Sequence, residues 1–146
     1  MKRVLTFLTF VCLSGLAFSQ QTKTSIDYQY FRDEKSYFAY ELFTQDKNPQ
    51  NRFLMLNFTS NINYNKIERI SIVSANDEVK LKFKLREETV KSDNPEQKFY
   101  PISLDVKDLA DKKMPCEAKI IFKLDNGLSY TLPFDSCKAL AVAKIN

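Results

Sequence analysis

Apolar and polar residues alternate along most of this chain. The clearest run is Val79-Lys80-Leu81-Lys82-Phe83-Lys84-Leu85-Arg86, with apolar side chains at odd positions and cations at even ones. On an extended strand that period sorts the two kinds onto opposite faces; on a helix it would scatter the apolar groups around the cylinder. Similar runs cover Arg52–Phe58, Ile67–Val73, Tyr100–Val106, Ala118–Leu124, Leu128–Phe134 and Ala139–Ile145. Between them lie QDKNPQN, NINYN, SANDE, KSDNPEQ and LDNGL, rich in residues that favour turns for local backbone reasons. Roughly seven to nine short strands punctuated in this way predict an all-β chain. The expected fold is a single antiparallel β-sandwich of immunoglobulin-like character, with a small closed β-barrel as the alternative. One helical turn is expected in VKDLADKKMP, capped by Asp105 or Asp108 and stopped by Pro115.

The stretch Tyr28–Phe43 holds seven aromatic rings in sixteen positions. With RDEKS as a loop, Ile26, Tyr28 and Tyr30 lie opposite Leu42, Tyr40 and Phe38, and all six share a core-facing side. Phe31 and Tyr37 then fall on the other face as an exposed aromatic pair open to a ligand. A helix over Asp33–Phe43 ranks second, because Phe38 and Leu42 would turn away from the side that carries Tyr37, Tyr40 and Phe43.

Cys116 and Cys137 flank a second hairpin around Asn126-Gly127. A two-residue turn would set the cysteines opposite one another, but it matches Ile120, Phe122 and Leu124 with Pro133, Thr131 and Ser129. A three-residue loop with Gly127 left-handed instead joins Ile120 with Leu132, Phe122 with Tyr130 and Leu124 with Leu128, placing all six on a buried face. That register leaves the cysteines one residue out of step, so a bulge or bend near Pro133–Asp135 must bring them into a disulfide. Pro133, lacking an N–H, suggests an edge strand.

Composition then narrows the chemistry. Lys2 and Arg3, the apolar run Val4–Leu16 and the small residues Ala17 and Ser19 resemble the start of exported bacterial proteins. Residues 1–19 are expected to be a cleaved signal peptide and 20–146 a single β-sandwich domain, acting in the periplasm or extracellularly. An oxidising destination makes a Cys116–Cys137 disulfide the default. The remaining 127 residues contain no His, no Trp and one Gly. That excludes His-dependent nucleophilic catalysis and imidazole metal sites, and leaves no glycine-rich phosphate loop. SANDE and KSDNPE lack the ligand alternation of a calcium loop and read as turns. No cofactor is expected. The formal charge of +4, about +2 without Lys2 and Arg3, gives no reason to expect nucleic acid as a partner. No transmembrane segment is expected either, since the apolar run is shorter than the ~20 residues a span needs.

Lys80, Lys82, Lys84 and Arg86 would stand about 6.8 Å apart on one strand face, a row suited to an anionic polymer or to a plain solvated surface. The expected function is a non-enzymatic binding or accessory module engaging a protein or an anionic glycan. Alternatives are a lipocalin-like small barrel holding an apolar ligand and a carboxylate hydrolase. The latter needs two acids roughly 5–10 Å apart, with Asp33, Glu34 and Glu41 its conceivable members.

Overall fold

The alternating runs become strands almost throughout. The computed structural model describes residues 23–45, 52–87 and 94–143; the expected signal peptide lies outside them. The strands are β1 (Thr24–Arg32), β2 (Tyr37–Thr44), β3 (Phe53–Ser60), β4 (Ile67–Ser74), β5 (Asp77–Leu81), β6 (Phe83–Leu85), β7 (Lys98–Asp105), β8 (Glu117–Leu124) and β9 (Ser129–Asp135). Two short helices, α1 (Lys107–Asp111) and α2 (Ser136–Val142), follow β7 and β9. The strands form a five-stranded sheet, β1-β2-β3-β7-β6, and a four-stranded sheet, β5-β4-β8-β9. Every pairing is antiparallel. With β1 set aside, these orders correspond to the A-B-E-D and C′-C-F-G sheets of an immunoglobulin-like sandwich. β1 is an extra strand laid outside position A. Both sheets keep open edges, so the closed barrel is excluded.

The core lies between the inner faces. Tyr40, Leu54, Leu56, Phe58, Ile102 and Leu104 from one sheet meet Ile70, Ile72, Ile120, Phe122, Leu132 and Phe134 from the other, all buried. Phe58 and Phe122 pack across the gap with ring centroids 4.6 Å apart, and Phe38 meets Tyr130 at 4.3 Å. Burying a side chain of this size contributes about 1.5–3 kcal/mol, so this interface dominates stability. Tyr40 also solves a polar problem: its buried hydroxyl donates to the Pro133 carbonyl at 2.7 Å and lies 3.2 Å from Asp27 Oδ2. One phenol thereby ties β1 and β2 to β9 across the sandwich.

The β8–β9 hairpin has the expected register, with Ile120 opposite Leu132 and Phe122 opposite Tyr130. Gly127 is left-handed at φ +85°, and Leu124 N–H donates to Leu128 O at 2.9 Å. Two details depart from expectation. Leu128 is 47% exposed, because the loop lifts it past the end of the sheet. The cysteines are aligned by a helix, not a bulge: β9 pairs regularly to Asp135, and α2 then turns Cys137 back toward Cys116. Their Cα atoms are 4.8 Å apart in the disulfide, and Ser136 N–H donates to Cys116 O at 3.0 Å. The expected strand over Ala139–Ile145 is likewise replaced by α2 as far as Val142, residues 144–146 lying outside the described structure. Asp135 caps this helix by accepting from Lys138 N–H at 3.0 Å, and Ala139 seats it on the core. α1 starts where Asp105 Oδ1 accepts from Lys107 N–H at 3.0 Å and ends at Asp111, ahead of Pro115.

The β1–β2 hairpin overturns the expected register by one residue. Gln29 faces Tyr40, Phe31 faces Phe38, and Tyr28 and Tyr30 face Glu41 and Ala39. Asp33 explains the slip. Its carboxylate accepts from Lys35 N–H at 2.8 Å and Ser36 N–H at 2.6 Å, and its own N–H reaches Ser36 O at 3.0 Å. These bonds close a four-residue loop between the paired Arg32 and Tyr37. A slip of one moves every side chain of a strand to the opposite face. Tyr28 and Tyr30 are therefore 51% and 63% exposed, and the ring ladder expected in the core is half outside. The Asp33–Phe43 helix does not form, since β2 occupies most of that stretch.

Candidate functional site

The cationic row does not survive the fold as a row. β5 ends at Leu81 in the four-stranded sheet and β6 begins at Phe83 in the five-stranded one, with Lys82 as the crossover. Lys80 pairs with Ser71, and Lys84 with Ser103. Val79 and Leu81 beside Lys80, and Ile102 and Leu104 beside Ser103, are buried and inward, so Lys80 and Lys84 stand on opposite outer surfaces of the sandwich. Arg86 turns down onto the sheet, with Nη2 bonded to Asn57 Oδ1 and its guanidinium 5.2 Å from the Phe43 ring centroid. Phe31 and Tyr37 are separated too. Phe31 is on the inward side, stacked on Phe38 at 5.0 Å, while Tyr37 is outward beside Arg32.

The register slip assembles a different group. On the outer face of the five-stranded sheet, Tyr28 and Tyr37 lean together over Ala39 with their phenol oxygens 3.1 Å apart. The hydrogen bond to Tyr37, followed by partial burial, pushes the Tyr28 phenol up to about 12. Across from these rings, β7 presents Phe99, and the segment leading into β7 brings Asn94 and Gln97. Glu41, Asn57 and Thr59 complete the hollow, whose volume is about 340 Å³, within the range of small-molecule sites. Glu41 holds Lys23 at 2.7 Å, and Asn57 is held by Arg86, so two of its polar side chains are fixed in place. Sequence pattern marked Tyr37, and Glu41 only as a conceivable hydrolase acid, but missed Tyr28, Asn57, Thr59 and Phe99 as members of one site, because Tyr28 and Tyr37 share a face only in the observed register. The signal was present in Asp33, whose carboxylate sets the loop length.

A larger hollow, about 650 Å³, lies between β1 and the disulfide end of β8–β9. Two of its three carboxylates are committed to local structure, and the third, Glu117, is exposed. Asp27 is bonded to Tyr28 N–H, Gln29 Nε2 and the Tyr40 hydroxyl, and Asp135 caps α2. It offers little that converges on a ligand. Asp33, Glu34 and Glu41 are not assembled as an acid pair: Asp33 closes its loop, Glu34 lies within that loop, and Glu41 faces Lys23 on the sheet. Among the described residues no three His, Cys, Asp or Glu side chains gather as metal ligands, and no helix is long and apolar enough to cross a membrane. Comparison with protein-family models, with curated proteins and with solved structures finds no match.

Proposed function

We propose that the chain is an exported, non-enzymatic binding module that holds a glycan against the outer face of its five-stranded sheet. The observation that carries this reading is the hollow in which the Tyr28, Tyr37 and Phe99 rings stand among a carboxylate, amides and a hydroxyl. A sugar ring has one face of C–H groups that stacks on aromatic surface and a rim of hydroxyls that pairs with such polar groups. Tyrosine serves both needs, with an apolar body and a polar tip. An apolar ligand would need an enclosed lumen, and here the space between the sheets is filled by side chains. Charge is not the organising feature, because Glu41 within the hollow is matched by Lys23. The reading therefore shifts from an anionic glycan to one bound by stacking and hydrogen bonds. Export is supported by the bridged cysteines, which persist in oxidising compartments, together with the character of residues 1–19.

The test is titration of the mature protein with neutral and acidic oligosaccharides at low and high salt. Tyrosine fluorescence reports binding without interference, since the chain has no Trp. Replacing Tyr28 and Tyr37 by Ala is expected to weaken binding by about tenfold or more, equivalent to about 1.4 kcal/mol. Changing Lys80, Lys82 and Lys84 to Ser, or raising salt, should leave affinity within about twofold. Binding that follows the lysines and disappears with salt would return the function to an anionic polymer. A panel with no binder at all would sink the glycan reading.

A further inference from the structure

The two sheets present four edge strands, β1, β6, β5 and β9, and the chain treats them unequally. β6 is three residues long, and β9 carries Pro133, which cannot donate to a ladder. β5 is five residues long, with Glu78 and Lys80 exposed. Short length, proline and charge all discourage a foreign strand from adding to an edge. β1 has little protection of these three kinds, although β9 and α2 approach its inner side. It runs for nine residues without proline, and between Thr24 and Phe31 its one charge, Asp27, is already engaged. Its bulge lies at Ser25–Asp27, ahead of a regularly paired stretch that reaches Arg32. One side of β1 is laddered to β2; among the described residues the other side makes no backbone hydrogen bond. Among the described residues Tyr28, Tyr30 and Phe31, at 51%, 63% and 43% exposure, make this edge the most aromatic part of the exposed surface.

We propose that this edge pairs with the same edge of a second copy, antiparallel about a two-fold axis through Gln29, merging two five-stranded sheets into one continuous sheet. The pleat selects the axis. Antiparallel pairing about a residue matches its two neighbours with each other, so outward Tyr28 meets outward Tyr30 of the second copy, and inward Asp27 meets inward Phe31. An axis between residues would set outward side chains against inward ones. Centring on Gln29 uses only the stretch beyond the bulge point and gathers four tyrosines on one surface, extending the ring contact already present between Tyr28 and Tyr30 at 6.0 Å. The contact is isologous, as closed dimers require. It does not depend on the glycan reading, because its readout is mass, not ligand.

Sedimentation equilibrium of the mature chain, from micromolar to near-millimolar concentration, should show a monomer–dimer equilibrium. Two double variants test the register: Tyr28→Lys with Tyr30→Lys, and Tyr28→Glu with Tyr30→Glu. Each alone sets like charges opposite one another twice and should be monomeric; an equimolar mixture should recover the dimer, since opposite charges then meet at both positions. All four substitutions fall on exposed side chains, and unchanged far-ultraviolet dichroism with a cooperative thermal transition confirms the fold of each variant. A wild-type chain that stays monomeric at near-millimolar concentration overturns the proposal. So does a lysine variant that still dimerises, or a mixture that remains monomeric. A monomer that accepts only a foreign extended peptide at β1 would overturn the second copy as occupant.

Discussion

The sandwich shows two outer surfaces of different chemistry. On the five-stranded sheet, Tyr28, Tyr37 and Phe99 enclose a hollow floored by Ala39, and the charged groups beside it are paired or packed on rings. On the four-stranded sheet the outward residues run in rows of Ser, Thr, Ile and cations, with Arg69 directly opposite Lys123 and Lys80 opposite Ser71. Glu68, 4.0 Å from Lys123, tempers that charge. The second surface has the character of a solvated face. The first is shaped, because side chains of unequal size stand next to one another on adjacent strands. Charge count points to the second surface; relief and ring placement point to the first, the one proposed to bind.

The contrast can be broken at several points. The largest effect should come from replacing Cys116 and Cys137 with Ser. Loss of a bridge spanning 21 residues should lower stability by roughly 3 kcal/mol, read as a shift in the urea midpoint. If the surfaces are independent, ligand binding in the tyrosine hollow should persist below the transition. Loss of binding in a folded variant would show that the hollow depends on the far end of the other sheet.

A smaller effect should appear in alkali. Tyr28 has its folded phenol raised from 10.0 to about 12. The folded state thus holds this proton more tightly than the unfolded chain, giving a stabilisation complete below pH 10 and lost as pH climbs through about 12. Burial also raises the phenols of Tyr40, Tyr64 and Tyr130, so Tyr28→Phe should remove one late-titrating phenol from the tyrosinate absorbance and leave theirs, and its stability should fall less steeply over the same interval. An unchanged titration would mean that Tyr28 and Tyr37 are not coupled.

The smallest expected effect belongs to the cationic surface. Glu68→Gln leaves Lys123 facing Arg69 without its acid and should cost about 0.2–0.5 kcal/mol at low ionic strength, fading with added salt. Thermal melts at two salt concentrations measure it. A loss well beyond this would make the surface more than a solvated face.

How legible each region was in sequence follows from its side chains. Apart from Ile121 and Pro133, β8 and β9 place their apolar residues on one parity, so a single register satisfies Ile120, Phe122, Leu132 and Tyr130, and it is the one observed. β1 carries rings on both parities, Tyr28 and Tyr30 on one and Phe31 on the other. Tyrosine is stable inside or outside, so apolar matching could not choose, and the choice fell to Asp33 bonding Lys35 and Ser36. Val79–Arg86 illustrates a different limit. Its alternation correctly reported inward and outward positions up to Leu81, but nothing in a period of two says when a strand leaves its sheet. The candidate site was hidden for the first of these reasons, since its two tyrosines share a face only after the register is known. Helix α2 was hidden by a third: ALAVA suits a short helix as well as a strand, and the Asp135 cap decides between them.

The crossover at Lys82 links the sheets through a single residue. Leu81 is paired to Ile70 on one side of the molecule, Phe83 is paired to Leu104 on the other, and the Lys82 carbonyl accepts from Asp105 N–H at 2.9 Å. So short a tether has no slack. The layers can part only if the β5 or the β6 ladder breaks first, which couples their opening and makes melting a concerted event for both halves.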